Sequence, residues 1–404
     1  MIELLKLGLG NLIKRKKRTA LTLVGLFIGI AAVVALISLG QGLQQTINAQ
    51  FEKVGADKIF VQAKDIGNFG GIESPGKLTE REQKMIQKVH GVAQTAGEIF
   101  VAANVQYNKL QRTLYVISVP EKQKEAQLVI KTNIWEVSEG RMLTHTDKGK
   151  AVIGYNLGNK KLFGRNIAKG DKISVNGVMV SVVGVIARTG DPGTDSSVIL
   201  PEADARAAVK NPDTYSMILA QSIQSENPDT VAKNIEKALR RDRHQKEGKE
   251  DFMVQTSTEL IKSFNVVLNV VQAVFVGIAL ISLLVGGIGI MNTMFTSVLD
   301  RTREIGVMKA IGARNKDILG IFLFESGVLG GVGGLVGIIV GAGISKGVEF
   351  GANTAFGPGT ISTVFPWYLI VGVLLFSVVV GIISGIFPAH RASKLQPVDA
   401  LREE

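Results

Sequence analysis

Four stretches of this 404-residue chain are too long and too apolar to be core elements of a water-soluble domain. A helix advances about 1.5 Å per residue, so about 20 apolar residues cross a hydrocarbon layer of roughly 30 Å. Thr19 to Gly40, about Phe264 to Phe295, Ile318 to about Ser345, and Pro366 to Pro388 meet that length, and none has Lys or Arg in its interior. The fold class they predict is an integral membrane α-helical protein with four transmembrane helices. A domain lies between the first and second helices, outside the membrane.

The charges that flank the runs set the orientation. Lys14 to Arg18 precede the first run, Arg301, Arg303, Lys309, Arg314 and Lys316 lie between the second and third, and Arg391, Lys394 and Arg402 follow the fourth. Gly347 to Phe365 has no Lys or Arg. Basic residues in short loops stay on the cytoplasmic side, so both termini and the middle loop are expected there, in a cell (plasma or inner) membrane. The divisions are a cytoplasmic amphipathic helix and basic flank (1–18), the first span (19–40), an extracytoplasmic stalk and domain (41–263) and the second span (264–295). A cytoplasmic loop (296–317), the third span (318–346), an outer loop (347–365), the fourth span (366–388) and a cytoplasmic tail (389–404) complete the chain. A cleaved signal peptide is disfavoured, because the first run exceeds a signal core of about 7–15 residues and no small-x-small site ends it. Ile2, Leu5, Leu9 and Leu12 recur at helical spacing, as in a helix lying on the inner membrane surface.

The formal charge of +11 raises nucleic acid as a partner, but the basic residues sit beside the apolar runs and show no aromatic-interleaved face. Nucleic acid is therefore not expected. The chain has no cysteine, which removes disulfides, thiolate metal sites and cysteine nucleophiles, and its four histidines have no ligand-spaced neighbours.

The region between the first two spans reads as mixed helix and strand, an α+β domain. Leu43, Ile47, Phe51 and Val54 continue one apolar stripe out of the first span, and Leu260, Phe264, Leu268 and Val271 lead into the second, so the two extensions are expected to pack as a stalk, the alternative being an interfacial helix resting on the membrane. Strands are predicted at Lys58–Val61, Leu114–Val119, Ser197–Leu200 and Phe252–Gln255. Thr79-x-x-Glu82 forms a capping box, Asn176-Gly177 suits a type I′ hairpin turn within Lys172–Ile186, and Asn227-Pro228 opens a helix.

Three motifs imitate catalytic or binding sites. Gly71 to Lys77 follows a phosphate-loop pattern but continues with Leu78 where Ser or Thr would hold magnesium. Gly343 to Gly347 has the GxSxG spacing, yet at the end of a membrane helix no strand-turn-helix can present Ser345. Asp191 and Asp195 share a Gly/Pro loop that lacks a calcium ligand series. No catalytic residue, cofactor site or metal site is assigned.

Glu325 stands about seven residues into the third span, roughly 10 Å along it, where a charge costs about 2.5–3.5 kcal/mol unless it is paired or hydrated. It either pairs with a basic residue of the 296–317 loop or serves in gating. Gly25 and Gly29, then Gly333, Gly337 and Gly341 with Ser345, and Ser377, Gly381 and Gly385 recur at four-residue spacing. Small residues so placed let helix backbones approach closely, either within one chain or at a dimer seam.

Leu283 to Ala313, LLVGGIGIMNTMFTSVLDRTREIGVMKAIGA, resembles the permeases of the MacB/FtsX-like family of ABC transporters, as does Phe387-Pro388-Ala389-x-Arg391-Ala392 with Pro397 and Ala400-Leu401-Arg402. The order of the spans and the placement of the large domain are similar too. The resemblance implies that Arg301, Arg303, Glu304, Gly306, Lys309 and Gly312 form a coupling surface for a cytoplasmic ATPase. That ATPase would hold the ATP and Mg, and none is expected on this chain. Two copies paired through the glycine-rich spans, as a homodimer of permeases, are expected in membrane lipid, with an outer adaptor or substrate protein as a further candidate partner. The macrolide-exporter branch carries its ATPase on the same chain, so here the ATPase is expected to be separate. The function implied is export by mechanotransmission. Its rival is a transmembrane signal transmitter that switches an outer partner without transport, and an anchored enzyme lacks a catalytic set.

Overall fold

The computed structural model describes residues 16–64, 78–160, 162–209, 213–356 and 360–402. The N-terminal amphipathic segment and the phosphate-loop-like Gly71–Lys77 lie outside the described residues. The chain starts with α1 (Lys16–Val54) and runs into β1 (Lys58–Ala63), β2 (Leu78–Thr79), α2 (Glu80–Gln87), β3 (Val92–Glu98), β4 (Phe100–Tyr107) and β5 (Leu110–Val119). It continues through α3 (Gln123–Thr132), β6 (Val137–Gly140), β7 (Lys150–Ile153), α4 (Tyr155–Asn159), β8 (Lys172–Val175), β9 (Val178–Ile186) and α5 (Pro192–Asp195). Next come β10 (Val198–Pro201), α6 (Glu202–Val209), β11 (Thr214–Tyr215), β12 (Met217–Ser222), α7 (Pro228–Asp242) and β13 (Phe252–Thr256). The rest is helical: α8 (Ser257–Asp300), α9 (Thr302–Ala310), α10 (Asn315–Phe356), α11 (Trp367–Lys394) and α12 (Pro397–Arg402).

Two compact units result. One holds Gln45–Asn265 with Ala352–Thr360, and the other holds the remaining helical segments. Four helices, α1, α8, α10 and α11, are long and apolar enough to cross a membrane. The inserted domain is therefore α/β and lies between the first and second of them.

Within that domain, β4, β5, β10, β7, β9 and β8 pair in a closed ring, since β8 returns to β4 at Val105↔Val175. Closure leaves no strand edge exposed around the ring, and side chains alternate between its faces. Val105, Val116, Ile153, Val175, Val182, Val198 and Leu200 fill the interior with Phe163. Their neighbours Ile117, Val152, Ile186 and Ile199 face outward and are covered by Leu128 and Val129 of α3 and by Trp135. The hairpin turn has positive φ at both Asn176 (47°) and Gly177 (92°), as type I′ requires.

A second sheet, β13-β1-β12-β3, is antiparallel throughout. Ile86 of α2 and Val231, Ile235 and Leu239 of α7 pack with Ile59, Val61 and Ile218 of its strands. The capping box forms as the sequence predicts, with Thr79 N donating to Glu82 Oε2 at 2.8 Å. Arg243 ties α7 to both ends of the layer, donating to Glu82 Oε1 at 2.6 Å and Asp251 Oδ1 at 2.6 Å. Only Ile99 separates β3 from β4, so one residue joins the sheet to the ring.

In the helical unit the glycines let backbones meet. A Cβ on Gly286 of α8 would lie 2.6 Å from Leu26 N of α1, and one on Gly29 would lie 2.9 Å from Ser282 Cβ. Gly25 faces Gly286, Gly337 and Gly341 of α10 face Phe27 O and Ala31 O of α1, and Gly381 of α11 faces Ser326 O of α10. Gly333 is buried. Gly25, Gly29, Gly337, Gly341 and Gly381 thus pack closely against helices of the same chain.

The helices differ from the sequence reading at their ends. Residues 347–356, expected in an outer loop, continue α10, and α11 runs through Pro388 to Lys394. The extensions of α1 and α8 are helical, and their bases are joined where Ser257 Oγ donates to Gly55 O at 3.0 Å. Phe264 and Val271, however, stay 48% and 43% exposed, against the expectation of a stalk seam. An apolar stripe identifies a helix face but not what covers it, and among the described residues no helix covers these two.

Candidate functional site

The elbow between α8 and α10 is built by local rules. Val298 is the last buried residue of α8, and Arg301 stands as the N-cap of α9. At the other end Gly312 has φ +103°, its N–H bonds Lys309 O at 3.0 Å, and Ala313 N–H bonds Met308 O at 3.0 Å. This is a Schellman termination, which needs a residue free to adopt the left-handed conformation. Asp317 Oδ2 then accepts from Arg314 N at 3.0 Å and starts α10.

Packing divides the six predicted coupling residues between two faces. Arg301 turns inward, its Nη1 3.0 Å from Glu325 Oε2 of α10 and its Nε 3.7 Å from Glu304 Oε2. Glu325 therefore pairs with a base of the elbow instead of standing alone in the span. Gly306 is buried beside Ile305. Lys309 also turns inward: its Nζ donates to Ser393 O at 2.6 Å and Leu395 O at 2.7 Å. The last carbonyls of a helix lack intrahelical donors and carry partial negative charge, so a lysine from α9 caps the end of α11. Ala389, Ala392 and Leu395 pack with Ile305 and Met308, which fixes the inner face of α9.

The opposite face is exposed among the described residues. Arg303, Glu304, Val307, Ala310 and Gly312 are exposed there, Ile311 is 82% exposed, and Leu299 precedes them at 73%. The C-terminal helix α12 packs beside α9, and its Val398 is exposed too. The elbow can thus offer acid, base and apolar groups to a partner while its other side is held by an ion pair and a lysine cap. Of the residues named from sequence, Arg303, Glu304 and Gly312 lie on that outward surface, and Arg301, Gly306 and Lys309 support it. Leu299, Val307, Ile311 and Val398 complete the exposed set. Their apolar character between charged neighbours was the available signal, but the helical period alone did not say which side faced inward.

The other motifs have structural roles. Ser345 lies inside α10, and its Oγ donates to Gly341 O at 2.7 Å. Asp191 caps α5 by accepting from Thr194 N, and buried Asp195 accepts from Thr189 N at 2.8 Å and Gly190 N at 3.2 Å. Among the described residues no three His, Asp or Glu side chains gather as a metal site.

Residues 19–238 match the MacB-like periplasmic core domain, and residues 276–397 match the FtsX-like permease C-terminal region. An uncharacterized ABC transporter permease of Methanocaldococcus jannaschii is 36% identical over 403 residues, covering 100% of this chain and 98% of the other. The uncharacterized ABC transporter permease YknZ of Bacillus subtilis is 29% identical, and the alignment covers 100% of both chains. The macrolide export ATP-binding/permease protein MacB of Nitrobacter winogradskyi is 33% identical over 95% of this chain and 58% of its own length. With four apolar helices, a domain inserted after the first and relatives matched end to end, the chain belongs to the MacB/FtsX-like family of ABC transporter permeases.

Proposed function

We propose that this chain is the membrane subunit of an ABC transporter whose ATP hydrolysis occurs on a separate cytoplasmic chain, which holds the ATP and Mg. The elbow docks on that ATPase. Its movement passes through the spanning helices to the inserted domain, which lies outside the cell membrane and acts on a substrate destined for export. Two copies work together, with both termini cytoplasmic.

The observation that carries this reading is the division of α9 into an outward face of Arg303, Glu304, Val307 and Ile311 and an inner face fastened through Arg301, Ile305 and Lys309. A surface that receives force needs a rigid attachment behind it. The two relatives matched over 98% and 100% of their length are named as permeases alone, which supports a separate ATPase. The basic flanks beside the spans support the orientation.

The test uses Ile311→Asp and Glu304→Arg, both on exposed side chains, in the full-length protein. Membranes are solubilised, and the ATPase that co-purifies with the wild-type permease is measured with its turnover. Loss of co-purification in properly inserted variants is the expected result. Wild-type recovery and turnover in both would remove the elbow from the docking surface.

A further inference from the structure

The third spanning helix is long for its task. α10 has 42 residues, equivalent to about 63 Å of helix, roughly twice the hydrocarbon thickness of a bilayer. Its last turn and Thr360 belong to the compact unit of the inserted domain. A helix C-terminus exposes carbonyls without intrahelical donors and carries about half a negative charge. The last turn of α10 supplies no basic residue of its own to answer that charge.

The domain supplies two. Arg188 Nη2 donates to Ala355 O, and Lys160 Nζ reaches the same oxygen at 3.2 Å. The domain places the backbone of one cation and the side chain of the other. Lys160 is the C-cap of α4, and the Arg188 guanidinium lies 5.5 Å from the ring centre of Tyr155 at the start of that helix. Arg188 leads into the turn that Asp195 fixes through Thr189 N, Thr189 Oγ1 and Gly190 N. Gly190, at φ +86°, lets Thr360 approach: a Cβ there would stand 2.8 Å from Thr360 Oγ1 and 3.6 Å from Thr360 Cβ. The charge of the helix end and the charges that meet it are complementary, and the turn is shaped around the segment that follows.

We infer that Arg188 and Lys160 form a cation clamp on the carbonyl end of α10, holding its last turn within the compact unit of the inserted domain. Resting on the proposed transmission of motion, the clamp gives the helix that begins just after the elbow its own grip on the domain. Arg188 and Lys160 act here as positioning residues.

In the permease alone, Arg188→Met with Lys160→Met should speed amide exchange at residues 349–356 by about 10- to 100-fold, as expected for losing two charge-assisted hydrogen bonds. Arg188→Lys, which keeps a cation at that position, should restore most of the protection. Unchanged exchange in the double variant would overturn the clamp whether or not an ATPase partner is found. In complex with the co-purified ATPase, the double variant should keep docking and turnover but lose the ATP-dependent change in exchange of the inserted domain. Retention of that change would overturn the transmitting role while leaving the docking proposal standing.

Discussion

Arg301→Met is the sharpest perturbation of the elbow. The Arg301 side chain is 14% exposed and that of Glu325 is 5% exposed, with 3.0 Å between Nη1 and Oε2. Removing the base leaves a carboxylate within α10 without its counter-charge, and breaking a buried pair from one side costs about 3–5 kcal/mol. The reverse change, Glu325→Gln, is expected to cost less, about 1–2 kcal/mol. Arg301 then keeps Glu304 at 3.7 Å, whose side chain is 69% exposed and leads to water, and the amide oxygen still accepts a hydrogen bond. The double variant removes both charges together, so its cost should fall short of the sum by about 2 kcal/mol or more. Equilibrium unfolding of the purified protein in mixed micelles gives all four values of the cycle. Equal costs for the single variants, additive within about 0.5 kcal/mol, would refute the argument that the pair holds the elbow to the third span.

Two further outcomes follow from the packing and from one buried acid. A leucine at Gly381 meets Ser326 O and the Gly330 backbone, neither of which can turn aside, so Gly381→Leu should destabilise the helical unit by about 3 kcal/mol or more; Gly372→Leu, with open space at its Cβ, should stay within about 0.5 kcal/mol in the same unfolding assay. Burial raises Glu98 from 4.5 to about 7 despite the opposing hydrogen bond from Asn133 Nδ2. A raised acid binds its proton more tightly in the folded state, so its contribution is fully present below about pH 4.5 and declines, by up to about 3 kcal/mol, as pH rises to about 7. Glu98→Gln should flatten that slope in the inserted domain, followed by hydrogen exchange of β3 and β4 in the intact protein between pH 5 and pH 8, as an order-of-magnitude window.

Much of the inserted domain was legible where a local rule applied. Thr79 and Glu82 close their capping box, Asn227 accepts from Asp229 N at 2.9 Å, and Asn176-Gly177 turns with two positive φ values, because each involves residues only a few positions apart. β3 and β12 were not legible. Gln94, Thr95 and Gly97, and the short Met217–Ser222, show no clean alternation, and they are strands because they pair at Ile218↔Gly97 and Leu219↔Ala96 across more than a hundred residues. The ring has the same origin: the sequence announces the β8–β9 hairpin, but not that β8 would return to β4 at Val105↔Val175.

Sequence alone determined the four apolar spans, the place of the inserted domain and the elbow with its glycine stop. Each depends on hydropathy summed along a segment or on a backbone preference within one turn. The tertiary structure decided which way the elbow's side chains point and what the glycines are for. Lys309 faces inward because the carbonyl end of α11 lies beside it. Gly337, Gly341 and Gly381 serve close packing within the chain because Phe27, Ala31 and Ser326 present backbone oxygens to them. A helical period marks the faces of a helix; only the neighbours that arrive on folding, by desolvating one face and supplying its partners, decide which face is buried.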